Sequence, residues 1–573
     1  MISNLKANLP AFLIILTIAT LLSLPLFKSG FYQIHDDQQI VRLLVFDQAL
    51  KAGQFPVRWV NELGFGFGYP LFVFYPPLVY ALAELFHLVG IGLIDAIKID
   101  FFLSIILSGI TMYFFVKQLG GKVAGVVASA FYMLTPYRAV DIYVRGALSE
   151  AFSFVWLPLI LLSFYKLATS EGSSVVLAAL SLGLLMLTHN LVALPFALLF
   201  PFYLGYLFLI SQNKKRFIYK SIISIILAAG ISAFFWMPSL AEKKFTIVDQ
   251  MLLTDLANYK IHFAAPSQLW NSPWGYGGSV EGIYDGLSFR IGKLNLITSF
   301  LLLALILITL IRKSKNSPIQ KGAVTFIALL LLSAFMTTDY SKIVWEALSP
   351  LAYLQFPWRF LIFTTLFSSI AAGMFIYYLK LPVVKAVVGF FIVLILIFTN
   401  FKLFRPISYK EGLTDQQATT KDILNWQISK TSFEYAPNGV KLIRGANGIN
   451  ELDLQKNELP TEKVQLVTGI GTINVLESKP QQTIVSADMK NQGIIKANIF
   501  NFPGWNLFID GQKQEIDDNN KLKLITFPVS KGNHTIELKF ENTPIRSLAN
   551  TISLISLLIL ALLSVKRWPK ISY

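Results

Sequence analysis

Two adjacent carboxylates, Asp36 and Asp37 in IHDDQQIVRLL, follow shortly after the first long apolar run of the chain has ended. A carboxylate beside an apolar surface can take a proton from a nucleophile or hold a divalent cation. Gln39 comes three residues after Asp36, and Ile40, Leu43, Leu44 and Val45 then recur at helical spacing until Gly53. That pattern predicts a helix with Asp36 as its cap, the carboxylate accepting from the free N–H groups of the first turn. Asp37 then sits on the first turn, kept ionised by the helix dipole and free for chemistry. Capping also supplies an alternative in which neither residue is catalytic.

A second polar group stands in YRAVDIYVRGALSEA, where Asp141 and Glu150 surround Arg138 and Arg145. Spacing singles out neither carboxylate, and an ordinary ion-pair set anchoring two spans accounts for them equally well. His189 in LTHN reads as a polar turn residue or a site residue, and Arg359 in FPWRF as a snorkelling arginine or an anion ligand. Gly64-Phe65-Gly66-Phe67-Gly68 lacks both the spacing and the surrounding strand and helix of a nucleotide loop, so it predicts a tight aromatic turn. SPWGYGGSVEG (272–282) has the composition of a loop that covers a substrate.

These side chains must be positioned by membrane spans. Of 573 residues, 54% are hydrophobic and 14% charged, which excludes a soluble multidomain protein. The 49 Lys and Arg against 33 Asp and Glu give a net +16 that topology explains better than nucleic acid does, so no nucleic-acid partner is expected. There is no cysteine, which leaves only Asp, Glu and His for a metal. Runs of membrane length lie near 10–27, 96–116, 123–140, 149–168, 173–189, 191–210, 217–238, 291–311, 321–338, 358–379, 382–400 and 546–565, about twelve spans of the ~20 residues each that a bilayer needs. Residues 71–90 are apolar too, but Pro76-Pro77 removes two backbone donors and predicts an interfacial or re-entrant segment.

The short basic connectors are Lys117/Lys122, Lys214/Lys215/Arg216/Lys220, Arg312/Lys313/Lys315/Lys321, Lys380/Lys385 and the tail Lys566/Arg567/Lys570, all on one side under this count. The positive-inside rule places that side, with both termini, in the cytoplasm. The long connectors 28–95, 239–290, 338–357 and 401–545 then face outward. The chain thus divides into a membrane module over 1–400, an extracytoplasmic domain over 401–545 and a last span with its tail over 546–573. HTIELKFE (534–541) alternates with Ile536, Leu538 and Phe540 on one face, and GWNLFIDG ends in a turn signal, so the domain is expected to be a β-sandwich of short strands.

An acidic pair soon after span one, followed by an amphipathic helix, a glycine, an aromatic and Pro-Pro-Leu, resembles the C-type glycosyltransferase superfamily of polytopic enzymes. HDDQQ with GQFPVRW, GFGFGYPLFVFYPPL, YVRGALSEA, LTHN and FPWRF is similar to bacterial membrane proteins labelled 6-pyruvoyl-tetrahydropterin-synthase-related, a name from which no pterin chemistry is inferred. FPGWNLFIDGQ and PVSKGNHTIELKFENTP look like the outer β-domain of large glycosyltransferase-like membrane proteins. The resemblance implies an α-helical polytopic membrane protein with an extracytoplasmic β-sandwich-like domain. It also implies transfer of a sugar from a polyprenyl-phosphate donor to an acceptor hydroxyl on a cell-envelope glycan, lipid or protein, at the outer face of the cell membrane.

An acidic residue of the first outer loop would then act on the acceptor, Asp37 ahead of Asp36 by its distance from the loop glycine. A divalent cation at Asp36 and Asp37 is the one cofactor the pattern leaves room for. Arg145 and Arg359 would face the phosphate, with bidentate donors suited to it, and Glu150, Asp141, His189 and Arg58 complete the substrate-binding set. The rival readings are a transporter or flippase of a lipid-linked glycan and an inactive membrane scaffold.

Overall fold

The structure, a computed structural model, describes residues 2–170, 174–254, 257–312, 317–445 and 449–565. Lys313, Lys315 and the tail Lys566, Arg567 and Lys570, on which part of the orientation argument rests, lie outside the described residues.

Each of the expected apolar runs is helical, but they differ in length. Eight helices are long and apolar enough to cross a membrane: Leu93–Gly120, Leu148–Thr169, Asn190–Ile210, Lys293–Ile311, Pro318–Met336, Pro357–Tyr378, Pro382–Leu403 and Pro544–Val565. Two further runs, expected as continuous spans, are bent pairs, which brings the count to as many as ten. Lys122–Met133 and Pro136–Arg145 meet at 47°, because Pro136 cannot extend the preceding helix. Lys214–Ile231 and Ala233–Phe245 meet at 67°. There the Ser232 hydroxyl turns back to the Ala228 carbonyl at 2.8 Å, and the Phe234 N–H is taken by the Ser553 hydroxyl of the last helix at 2.9 Å. Lys6–Leu22 and Val175–Thr188 are shorter apolar helices. Residues 71–90 are split at the proline pair into Leu71–Phe74 and Leu78–His87.

Helix Leu148–Thr169 and the helix ending at Tyr378 form the buried centre, while Pro382–Leu403 and Pro544–Val565 lie at the periphery. Small residues let Lys122–Met133 close in on Leu93–Gly120. A Cβ on Gly125 would come within 2.8 Å of the Tyr113 ring and 2.9 Å of its carbonyl.

One end of the bundle carries all the strands. They are β1 Phe31–Tyr32, β2 Tyr409–Lys410, β3 Leu442–Arg444, β4 Asn450–Leu452, β5 Val464–Thr468, β6 Gly471–Lys479, β7 Gln482–Met489, β8 Gly493–Phe500, β9 Trp505–Ile509, β10 Gln512–Gln514, β11 Leu524–Val529 and β12 Gly532–Phe540. An antiparallel five-stranded sheet, β10-β9-β12-β7-β6, faces a three-stranded one, β11-β8-β5. Val485, Ala487, Ile536 and Leu538 from the first meet Ile495, Ala497, Ile525 and Phe527 from the second in one apolar core. This is the β-sandwich that the alternation predicts. Phe540 departs from the expected pattern: it is half-buried at the junction with the bundle.

The junction is filled from the other end of the sequence. Trp59, fully buried, inserts its indole between Phe540 at 5.2 Å and Trp505 at 5.4 Å. Gln54 holds the Trp59 backbone at both ends, accepting from its N–H at 2.7 Å and donating to its carbonyl at 3.0 Å. Gly68 makes room, since a Cβ there would lie 2.5 Å from the indole. Arg546, at the start of the last helix, donates to Glu242 at 2.8 Å and to the Pro503 carbonyl at 2.8 Å, tying the sandwich to two helices.

Candidate functional site

The chain leaving the first helix is drawn across the bundle end by backbone bonds. Phe31–Tyr32 pairs with Tyr409–Lys410, an approach that needs Gly30, where a Cβ would lie 2.1 Å from the Lys410 carbonyl oxygen. The His35 N–H then donates to the Val144 carbonyl at 3.1 Å and the Asp36 N–H to the Arg145 carbonyl at 2.8 Å. Gly146, at φ +66°, closes that turn and leaves space for Ile34, whose nearest carbon would lie 2.3 Å from an added Cβ. The two motifs HDDQQ and YVRGALSEA are thus zipped together, and Gln39 reinforces the seam by donating to the Gly146 carbonyl at 3.0 Å.

This seam corrects the expected cap. With Asp36 held extended against Arg145, the helix begins later, as Gln39–Lys51 with Gln38 in the cap position and no side-chain cap bond. Asp36 and Asp37 are both exposed, before the first turn. The protein mass around Asp37 pushes its pKa up from the ordinary aspartate value, and the adjacent Asp36 charge adds to the rise; Lys410 and Arg42 oppose it.

Beneath the seam lies a buried polar cluster. Arg145 Nη1 donates to Asp141 at 2.9 Å and to Glu150 at 2.8 Å, and the Tyr137 hydroxyl donates to the second Glu150 oxygen. The Arg145 guanidinium lies 4.8 Å from the Trp358 ring. Arg359 follows in the turn Pro357–Phe360, 8% exposed, and its Nε and Nη1 have no hydrogen-bond partner among the described residues. It is therefore not a snorkelling side chain. His189 is the single extended residue between two helices, also buried, with its Nδ1 unpartnered among the described residues. The charges of Arg145 and Arg359 act on Glu150, with the His189 ring close by, and Asp36 is close enough for its charge to act on both arginines.

Asp36, Asp141, Arg145, Glu150, His189 and Arg359 are thus brought together, with Asp37 next in the chain. Arg58 lies elsewhere: it donates to the Phe234 carbonyl at 3.1 Å and to Asn550 at 2.8 Å, holding the bent helix to the last one. Tyr137 and Trp358 were not anticipated, although each neighbours a motif residue. The loop 272–282 touches the site at two points. The Tyr276 carbonyl is 2.8 Å from His35 Nε2, and the Trp358 indole N–H donates to Ser279 at 3.1 Å. Among the described residues no group of three or more His, Asp or Glu side chains is arranged to hold one.

No family model matches the chain. An uncharacterized protein of Lactococcus lactis subsp. cremoris (strain MG1363) is 25% identical over 252 residues, 42% of this chain and 41% of its own length. The chain thus spans about two-fifths of that relative. Among solved structures, arabinofuranosyltransferase AftD from mycobacteria is similar at TM-score 0.40 and 14% identity, covering 70% of this chain and 26% of that one. ArnT from Cupriavidus metallidurans bound to undecaprenyl phosphate gives 0.35 and 12%, over 65% and 61%. The Archaeoglobus fulgidus oligosaccharyltransferase gives 0.39 and 12%, over 73% and 56%. None of these three reaches a TM-score of 0.5, so none decides the chemistry of this chain.

Proposed function

We propose that this chain is a membrane glycosyltransferase that moves a sugar from a polyprenyl-phosphate donor to an acceptor hydroxyl at the outer face of the membrane. The observation that carries the reading is Arg359, a buried guanidinium with two unpartnered nitrogens beside the acidic seam. A buried donor without an acceptor is costly, and an anionic oxygen would satisfy it with charge-assisted bonds. Arg145 already shares Nη1 between two carboxylates, so Arg359 takes the phosphate and the Arg145–Asp141–Glu150 lattice holds the site in shape.

In the transfer, Asp37 accepts the proton of the acceptor hydroxyl. The acceptor oxygen forms the new bond to the anomeric carbon, and the bond from that carbon to the phosphate oxygen breaks. Its electron pair stays with the phosphate, against Arg359. In this reading Asp37 removes the proton and Arg359 balances the leaving-group charge.

The test is sugar transfer by purified protein in lipid, with release of the polyprenyl phosphate measured. Arg359→Ala should raise the KM for the donor by about 10–100-fold, the size of one charge-assisted bond. Unchanged kinetics would remove Arg359 from the phosphate.

Outward orientation of the strand-bearing end belongs to the same proposal, because no nucleotide sugar is available there and the donor must arrive on a lipid. Ser408, which donates to Gln33 beside the seam, reports it. In intact cells Ser408→Cys should react with an impermeant thiol reagent, and labelling only after lysis would reverse the orientation.

One observation favours a flippase instead. Asp100, fully buried in the helix Leu93–Gly120, has neither carboxylate oxygen partnered among the described residues, as a proton or cargo site in a transporter would. Movement of a lipid-linked glycan across vesicles without sugar transfer would support that reading.

A further inference from the structure

The outward face of the five-stranded sheet carries a grid of polar side chains that packing does not use. The registers of β6, β7 and β12 place Thr472, Asp488 and Asn533 in one row and Asn474, Ser486 and Thr535 in the next. All six belong to the side of the sheet opposite the apolar core, and they line a shallow cavity of about 250 Å³. No side chain of the six has a hydrogen-bond partner among the described residues. The edge of the cavity, by contrast, is fixed. Asp510 accepts from the Thr535 N–H at 2.8 Å and lies 2.7 Å from His534 Nδ1, while His534 Nε2 is 3.1 Å from the Ser530 hydroxyl.

We infer that this face binds a neutral or amino-sugar glycan chain. Neighbouring strands stand about 4.7–4.9 Å apart, so amide, carboxylate and hydroxyl groups of adjacent strands can bracket the vicinal hydroxyls of one sugar ring. Asn474 and Asn533 each offer two donors and an acceptor, and Asp488 accepts at two oxygens. Asp488 and Asp510 line the cavity with no Lys or Arg among its walls, which disfavours phosphate-bearing and uronic polymers. The walls contain no Phe, Tyr or Trp, so a ring would bind edge-on through hydrogen bonds without a stacking platform. Each such bond replaces one to water and gains little by itself, so a chain of several sugars is required.

The inference concerns binding and does not depend on the transferase reading. The experiment uses the full chain in nanodiscs on an immobilised panel of neutral, amino-sugar and uronic oligosaccharides, with no donor present. Wild type should retain neutral or amino-sugar chains, and the Asn474→Ala/Asn533→Ala double variant should lose at least tenfold in apparent affinity. Lys513→Ala, on β10 away from the cavity, should bind as wild type does. Thr472→Val, a smaller surface change, should also weaken binding and guards against a double variant that fails to fold. Retention of no oligosaccharide, retention of uronic chains alone, or binding untouched by folded variants would overturn the inference. A failed panel would leave the Arg359 kinetics untouched, and an enzyme without turnover would leave the panel untouched.

Discussion

The Asp37→Asn protein is expected to fold, to hold the donor lipid with nearly unchanged affinity, and to transfer sugar about 10²–10⁴-fold more slowly, the usual cost of losing one general base. The size of the loss identifies the role, because an exposed aspartate outside the helix contributes little to packing. Protonation should show the same dependence. A base must be ionised to act, and partial desolvation by the surrounding protein, with the neighbouring Asp36 carboxylate, raises the pKa of the surface-exposed Asp37. Activity should therefore fall on acidification at a pH above the ordinary aspartate value of about 3.9. The acid limb belongs to the wild-type rate profile and should be absent from the residual activity of Asp37→Asn. Asp36→Asn keeps the backbone bond to Arg145 and alters only a charge beside the two arginines, so its effect should be much smaller. Near-normal turnover by Asp37→Asn, with the acid limb intact, would end the assignment of Asp37 as base.

Trp59→Ala is expected to loosen the β-sandwich from the bundle. A fully buried tryptophan replaced by alanine typically costs about 3–5 kcal/mol, and Trp59 has aromatic partners from both β9 and β12, Trp505 and Phe540. An opening equilibrium shifted by about two to four powers of ten should appear as fast limited proteolysis within 401–545 and as a separate, earlier thermal transition. Protease resistance equal to wild type would show that the Arg546 ties alone hold the domain. Phe540→Ala in the same background should cost less than it does alone, since the two rings support each other.

What could be read from sequence follows the range of the interaction concerned. Apolar runs announced the helices, and the alternation around Ile536 and Leu538 announced the sandwich, because both patterns are local periodicities. The bend at Pro136 has a chemical mark in the chain. The sharper bend at Ser232 has none, since it depends on a hydroxyl from the last helix, and the run therefore reads as one span. Asp36 failed as a cap for the same reason. The local rule was sound, but a backbone bond to Arg145, remote in sequence, took over the N–H and moved the helix start. Arg145 and its carboxylates were visible as neighbours in sequence. His189 and Arg359 could each be read from sequence in two ways, and their meeting with Glu150 is a product of the fold. Nothing in GQFPVRW marks Trp59 as a core residue of a domain that begins hundreds of residues later.

That last contact has a consequence for biosynthesis. Trp59 emerges from the ribosome early, and its partner Phe540 is among the last residues made. At about 5–20 residues per second the wait is on the order of 20–100 s. Throughout that interval the first loop has its tryptophan but not all of the strands that bury it, and Phe31–Tyr32 has no second strand to pair with until Tyr409 and Lys410 arrive. The seam between Asp36 and Arg145 can form early, but the short strand that leads into it is braced only once Lys410 has been made, and a chain truncated before that point is left with the carboxylates but without the brace.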